Sequence, residues 1–214
     1  MSNSGDGISA RRLTSRGAAT KARIIEAANQ LMFERGVALT TLADVRTASA
    51  TSKSQLYQHF ADKNVLVREV IEFRAEALLA QQRRRLEKVD SLRGLELWRD
   101  EMVERNALRD GAYGCPLGSI ANEIADHDEE TRRIIASHFD EWLQMIIDAI
   151  DRLRTGGVLR EDADSRALAS GLLAALQGGY LLANTARDVS LMRLAVDMAI
   201  AQVRAFSTES DAQI

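Results

Sequence analysis

The chain has 214 residues, 46% of them hydrophobic, with one proline, one cysteine and a net charge of −3. That is enough apolar material for a sizeable core, in one medium domain or a small domain joined to a larger one. It excludes an internal disulfide framework, and no apolar run approaches the roughly 20 residues that span a bilayer.

Scarce β-branched runs and the lone Pro116 favour long uninterrupted helices. Met1–Ala10 is polar and lacks the apolar stretch of a signal peptide, so a cytoplasmic protein is expected. Residues 1–17, rich in Ser, Gly and Arg, read as a flexible arm. A first helix runs from about Thr20 to Arg35, with Ile24, Ala28, Leu31 and Met32 on one face and Gly36 closing it in the left-handed conformation. A second begins at Thr41, where Asp44 completes a capping box, and ends near Ala48. A third starts at Ser52, with Gln55 as its capping partner, and continues to Phe60.

Asp62 caps a fourth helix, expected to reach Val89 with Leu66, Val70, Phe73, Ala77 and Leu78 turned inward. The fifth covers about Leu92–Leu108, and Arg109–Cys115 is a loop. Pro116 suits the first turn of a sixth helix ending near Asp126. The seventh, about Glu129–Leu153, carries Ile135, Phe139, Trp142, Ile146 and Ile150 on one stripe. After Gly156 and Gly157 come helices at about Asp164–Ala186 and Ser190–Phe206. The fold class is therefore all-α: a three-helix N-terminal module (18–63) followed by a helical bundle (64–214).

Charge is distributed unevenly. Residues 1–63 carry 9 Lys and Arg against 5 Asp and Glu, a balance of +4, and the remainder carries 19 against 26, a balance of −7. A basic module on an acidic body is the asymmetry expected of a DNA reader with a separate non-DNA domain, though chance gives such a balance too. The two short helices joined by Ser49–Ser52 have helix-turn-helix spacing. Leu56 and Phe60, one turn apart, pack inward, which leaves Lys53, Ser54, Gln55, Gln58 and His59 on or near the open face. A recognition helix meets base edges with such residues: Lys bonds guanine, Gln pairs with adenine, Ser serves either. Thr41, Tyr57, His59 and Lys63 suit phosphates, which fix register. Spacing alone also fits a three-helix subdomain with a polar face and no DNA role.

Thr40-Thr41-Leu42-Ala43-Asp44-Val45, then Thr51-Ser52-Lys53-Ser54-Gln55-Leu56-Tyr57-Gln58-His59-Phe60, then Lys63 and Leu66, resembles the N-terminal signature of the TetR (tetracycline-repressor) family. Arg23-Ile24-Ile25-Glu26-Ala27-Ala28, with Phe33 and Gly36, is similar to that family's first helix. The resemblance covers about Thr20 to Ile71 and implies an all-helical homodimer that binds an operator in double-stranded DNA and is released by a small hydrophobic effector. It departs at Arg46, Ala50 and Ser54, where the family usually has a small residue, a glycine in the turn and often a glycine. Ala50 fits if its backbone avoids positive φ. Arg46 is assigned to the DNA backbone.

In the second half, Phe73, Trp98, Met102, Ile120, Ile124, Phe139, Trp142, Met145, Gln177 and Tyr180 are candidates to line an effector pocket, with Asn106 and Asn122 as further polar groups. An aromatic stripe at helical spacing equally describes plain core. Gly114-Cys115-Pro116-Leu117-Gly118-Ser119 resembles a motif of one TetR subgroup. Cys115 at a helix N-terminus, where the macrodipole lowers a thiol pKa, opens a redox- or electrophile-sensing reading; the other reading is a small buried residue at a turn. Small residues Gly171, Ala174, Ala175, Gly178 and Gly179 in the eighth helix, with Leu191, Leu194, Ala195 and Met198 in the last, suit the four-helix dimer bundle that the resemblance implies; packing within the chain against the fifth and seventh helices is the other reading.

An enzyme is not expected. The residues three before His59, His127 and His138 are Leu56, Ile124 and Ile135, so no Glu-x-x-His metal motif is present. There is no phosphate-binding glycine loop and no nucleophile elbow. No cofactor, metal or membrane partner is expected. A ligand-independent DNA-binding regulator remains the other reading.

Overall fold

The computed structural model describes residues 14–108, 114–124 and 128–208. The expected arm up to residue 13, most of the 109–115 loop, His127, the end of the sixth helix beyond Ile124 and the Asn122 side chain lie outside the described residues. The described part divides between Val70 and Ile71 into two compact units. That division falls inside a helix, a few residues beyond the boundary expected at 63/64.

The first unit holds α1 (Ser15–Arg35), α2 (Leu42–Ala48), α3 (Lys53–His59) and the start of α4 (Lys63–Leu86). α1 starts five residues earlier than Thr20. Thr14 accepts the Gly17 N–H at 3.2 Å, and a capped first turn tolerates a glycine that composition alone assigns to an arm. At its other end Gly36 has φ 84° and ψ 165°, not the left-handed helical values expected; this region is open essentially to glycine alone. Ile24, Ala28 and Met32 of α1 close over Val45 of α2 and Leu56 and Phe60 of α3, all buried.

The second unit contains α5 (Leu92–Ala107), α6 (Pro116–Ile124), α7 (Glu129–Thr155), α8 (Ser165–Ala186) and α9 (Ser190–Arg204), besides the rest of α4. Side chains of Ser91, Asp128 and Asp164 cap α5, α7 and α8. α8 packs along both α7 and α9, and α9 along α5. Gly179 makes the closest approach: a Cβ there would lie 2.9 Å from the Met192 Cα, so only glycine lets α8 and α9 meet at this depth. Trp98, Leu95, Met102, Trp142, Ile146, Leu172, Leu176 and Val196 form the core. Among the described residues no strand forms; an isolated antiparallel bridge joins Leu159 and Ser207.

The inward stripe of α4 differs from the expected one. Phe73 is 44% exposed and Ala77 is exposed, whereas Ile71, Arg74, Ala75, Leu78, Gln82 and Leu86 are buried. Two polar residues, Arg74 and Gln82, belong to the buried face. An apolar-only reading of the 3.6-residue period passes over them and rotates the stripe by about one residue.

Candidate DNA-reading helix and effector pocket

The reading helix is built by local devices. Thr41 Oγ1 accepts the Asp44 N–H at 3.2 Å and Asp44 returns a carboxylate oxygen to the Thr41 N–H at 3.0 Å. The Thr41 hydroxyl and amide hold the Asp44 carboxyl below its usual range, and the Arg35 guanidinium 2.9 Å away adds to this. In the turn, the Ser49 and Thr51 hydroxyls pair at 2.8 Å in a buried contact. Between them Ala50 takes φ 51°, the positive value that sequence reasoning required it to avoid. An L residue there costs about 1–2 kcal/mol; the Ala50 N–H bonded to Thr47 O and the Thr51 N–H bonded to Arg46 O, each at 3.2 Å, hold it in place.

α3 then opens with its own capping box. Gln55 N–H donates to Ser52 Oγ at 3.1 Å, and Gln55 Oε1 accepts the Ser52 N–H at 2.8 Å. Leu56 and Phe60 anchor the helix from below. Arg46, Lys53, Ser54, Tyr57 and Gln58 are exposed, and Gln55, His59 and Lys63 are half-buried. The Lys53 ammonium stands 6.0 Å from the centre of the Tyr57 ring. Lys63 Nζ donates to the Ala38 carbonyl at 3.3 Å, which leaves it two further protons to offer. Thr41 and Gln55 are the two candidates already engaged by the fold: bidentate adenine reading by Gln55 requires its Oε1 to leave the cap.

In the second unit a pocket of about 380 Å³ lies between α6, α7 and α8. Its walls include Cys115, Gly118, Ser119, Phe139, Gln177, Tyr180, Leu181 and Asn184. Three of the ten candidate pocket residues, Phe139, Gln177 and Tyr180, line it. Met102, Ile120, Trp142 and Met145 are buried core behind it or elsewhere. Trp98 borders a separate recess of about 370 Å³ with Arg84, Arg85, Lys88 and Glu101. Ile124 is half-buried, and Phe73 is exposed.

Sequence reasoning missed the pocket's glycine and the polar core beside it. A Cβ on Gly118 would meet Gln177 Oε1 at 3.1 Å and Cys115 Cβ at 3.2 Å, so the glycine seats both side chains. Gln82, fully buried, accepts the Trp98 indole N–H at 2.9 Å and donates to Met102 Sδ at 3.2 Å. Tyr180 points its hydroxyl at the same sulfur from 3.8 Å, a long contact. Burial pushes the Tyr180 phenol well above its usual range. Gln82 carried a signal in its register, four residues from Leu78 and Leu86, but not in its chemistry.

Of the two readings of Cys115, the structure favours the small buried residue. Burial raises the thiol pKa, and the Gly118 and Leu117 amides and the Gln177 side chain offset that only in part. The sulfur sits under 4% exposure of its residue. A protonated, enclosed thiol is a weak nucleophile, the opposite of what an electrophile sensor needs.

Both units match known families. Residues 24–70 match the model of bacterial regulatory proteins of the tetR family, and residues 91–198 match that of the C-terminal domain of LmrA/YxaF-like transcriptional regulators. The chain is 25% identical over 181 residues to an uncharacterized HTH-type transcriptional regulator in the lacX 3′ region of Lactococcus lactis subsp. lactis, covering 84% of this chain and 90% of that one. It is 25% identical over 160 residues to the HTH-type transcriptional repressor DhaR of Mycobacterium sp. (strain GP1), covering 74% and 79%. A TetR-family regulator from Cytophaga hutchinsonii superposes with a TM-score of 0.77 at 17% identity, over 93% of this chain and 100% of that one. Fold and sequence together define a helix-turn-helix transcriptional regulator. The chain belongs to the TetR family, and it is a DNA-binding regulator and not an enzyme. No helix among the described residues is long and apolar enough to cross a membrane.

Proposed function

We propose that this regulator is a cytoplasmic repressor that binds a two-fold symmetric operator as a homodimer and is released by a small molecule seated between α6, α7 and α8. The observation that carries the reading is the presence, on one chain, of two separate devices: a capped α3 with an open polar face, and a pocket of about 380 Å³ in the other unit. α4 runs from one unit into the other and is the natural carrier of a change between them. The likeness to a protein named as a repressor supports the sign of regulation.

Dimerisation is supported by the outer faces of α8 and α9. Leu181 and Leu182 are 59% and 52% exposed, and Leu194 and Met198 are 60% and 67% exposed. A Cβ on Gly171 or Gly178 would have no neighbour within 4 Å. Exposed large apolar groups beside small residues on two adjacent helices suit a bundle with a second copy. The test is a screen: DNA upstream of the protein's own gene is bound to the purified regulator, and small molecules are assayed for release by fluorescence anisotropy. The reading expects a symmetric footprint, a dimer in solution, and release by compounds that also raise its melting temperature. A monomer on a single asymmetric half-site overturns it.

A further inference from the structure

The α6–α7–α8 pocket carries one polar feature that the fold leaves unused. Gln177 lines it, and its Nε2 is buried with no hydrogen-bond partner. The Gln177 side chain acts on the Cys115 thiol and lowers its pKa in part, but no hydrogen bond satisfies Nε2. The other end of that amide is held in place, since Oε1 packs against Gly118. Buried donors are normally paired, and one left unpaired on a residue that lines a cavity is a place where an arriving acceptor removes a standing cost.

The rest of the lining sets the charge of the occupant. Among the described residues no Lys, Arg, Asp or Glu borders the pocket. The Cys115 thiol and Tyr180 phenol are both held protonated by burial. An anion or cation entering here would lose its hydration without gaining a counter-charge. Phe139 and Tyr180 supply aromatic walls, and Leu181 an apolar one.

Resting on the reading above that this pocket is the effector site, we infer that the effector is an uncharged molecule with an apolar body and a carbonyl-type oxygen, which accepts the Nε2–H of Gln177. Gln177 is thus a specificity-determining residue, separating ketone-like compounds from hydrocarbons of the same shape. The neighbouring hydroxyl of Ser119 and amide of Asn184, both exposed, lie at the solvent side and do not enforce that choice.

Three probes of one size make the test: 2-acetylnaphthalene, its hydrocarbon isostere 2-isopropenylnaphthalene, and 2-naphthoate. Binding to the full-length wild-type protein is measured by calorimetry and by thermal shift. The ketone is expected to bind about tenfold tighter than the alkene, the effect of satisfying one buried donor, and the carboxylate weakest of the three. In Gln177→Leu and in Gln177→Met the ketone and alkene are expected to bind alike, with alkene affinity retained. Equal binding of ketone and alkene by wild type overturns the inference, as do tightest binding by the carboxylate, binding of none of the three, or a preference that survives both substitutions. Operator release is scored separately with the compounds from the screen. Release by charged effectors alone leaves the proposed release by a small molecule standing while removing this inference, and absence of any releasing compound removes that proposed release itself.

Discussion

In the unit that carries α3, nearly every bend has a local device. Thr14, Thr41 and Ser52 each accept a backbone N–H at a helix start, and Gly36 and Ala50 take positive φ where the chain turns. In the unit that carries the pocket, shape comes from volumes meeting across long distances in sequence: Trp98 on Gln82, Gly179 under Met192, Gly118 under Gln177. The contrast teaches how the proposed reading and sensing are built differently on one chain. Local hydrogen bonds fix the start of α3 and so the side chains on its open face. A pocket made by packing, in turn, changes its chemistry through one or two side chains without rebuilding the helices around it.

The largest expected effect tests the packed unit. Trp142 is fully buried and lies outside the pocket lining, so Trp142→Ala is expected to cost about 3–5 kcal/mol of stability in denaturant melts. Effector response of the folded fraction should be preserved. Selective loss of effector binding at unchanged stability would put the indole in the site after all.

The α8–α9 contact comes next. Gly179→Ala forces a Cβ against the Met192 backbone and is expected to cost about 1–3 kcal/mol. Gly178→Ala, one residue away with open space around its Cβ position, should leave the fold of the single chain as stable or slightly more so. Equal destabilisation by both would show that the close approach at Gly179 does not set the result. Charging the outer face by Leu194→Glu with Met198→Glu should turn the dimer into a monomer in sedimentation, at little cost to helicity.

On the reading unit, Gln58→Ala is expected to cost about 1–3 kcal/mol on the preferred operator and little on random DNA. Lys63→Ala should weaken both similarly and lower the salt slope by about 1. Gln55→Ala removes a capping partner as well as a candidate base contact, so its loss of specificity should come with a loss of thermal stability that Gln58→Ala does not show. The smallest effect has the opposite sign. Ala50→Gly relieves a positive φ but loosens the unfolded chain, for a net gain of some tenths of a kcal/mol to about 1; a loss would mean that the Ala50 methyl is needed.

The difference between the units also explains what the sequence made legible. Both capping boxes, the four-residue turn, and the inward Leu56 and Phe60 follow from neighbours within a few residues, and each is present as expected. The fold class followed from composition and period. Harder was anything decided by partners far along the chain. Phe73 and Arg74 differ by one position on α4, yet the phenylalanine is exposed and the arginine buried, its Nη1 donating to Pro116 O at 3.2 Å. Burial lowers the Arg74 pKa to about 10, partly offset by Glu123, and nothing local announces that a charged group takes the inner face. Of the ten residues expected at a pocket, Phe139, Gln177 and Tyr180 border the α6–α7–α8 cavity, and which three do so depends on how those helices meet. The Cys115 environment depended on the same packing: its place at a helix start left a sensing thiol and a small buried residue both open, and the packing gives the buried one.

The central claim is that occupation of the α6–α7–α8 pocket governs DNA binding by α3. The direct measurement is operator affinity, by anisotropy at fixed salt, with and without a saturating compound whose binding is abolished by filling the pocket through Gly118→Leu. At least a tenfold loss of operator affinity is expected, a coupling of about 1.4 kcal/mol, with operator DNA weakening the compound by the same factor. An operator affinity unchanged by a compound that occupies the pocket would contradict the account.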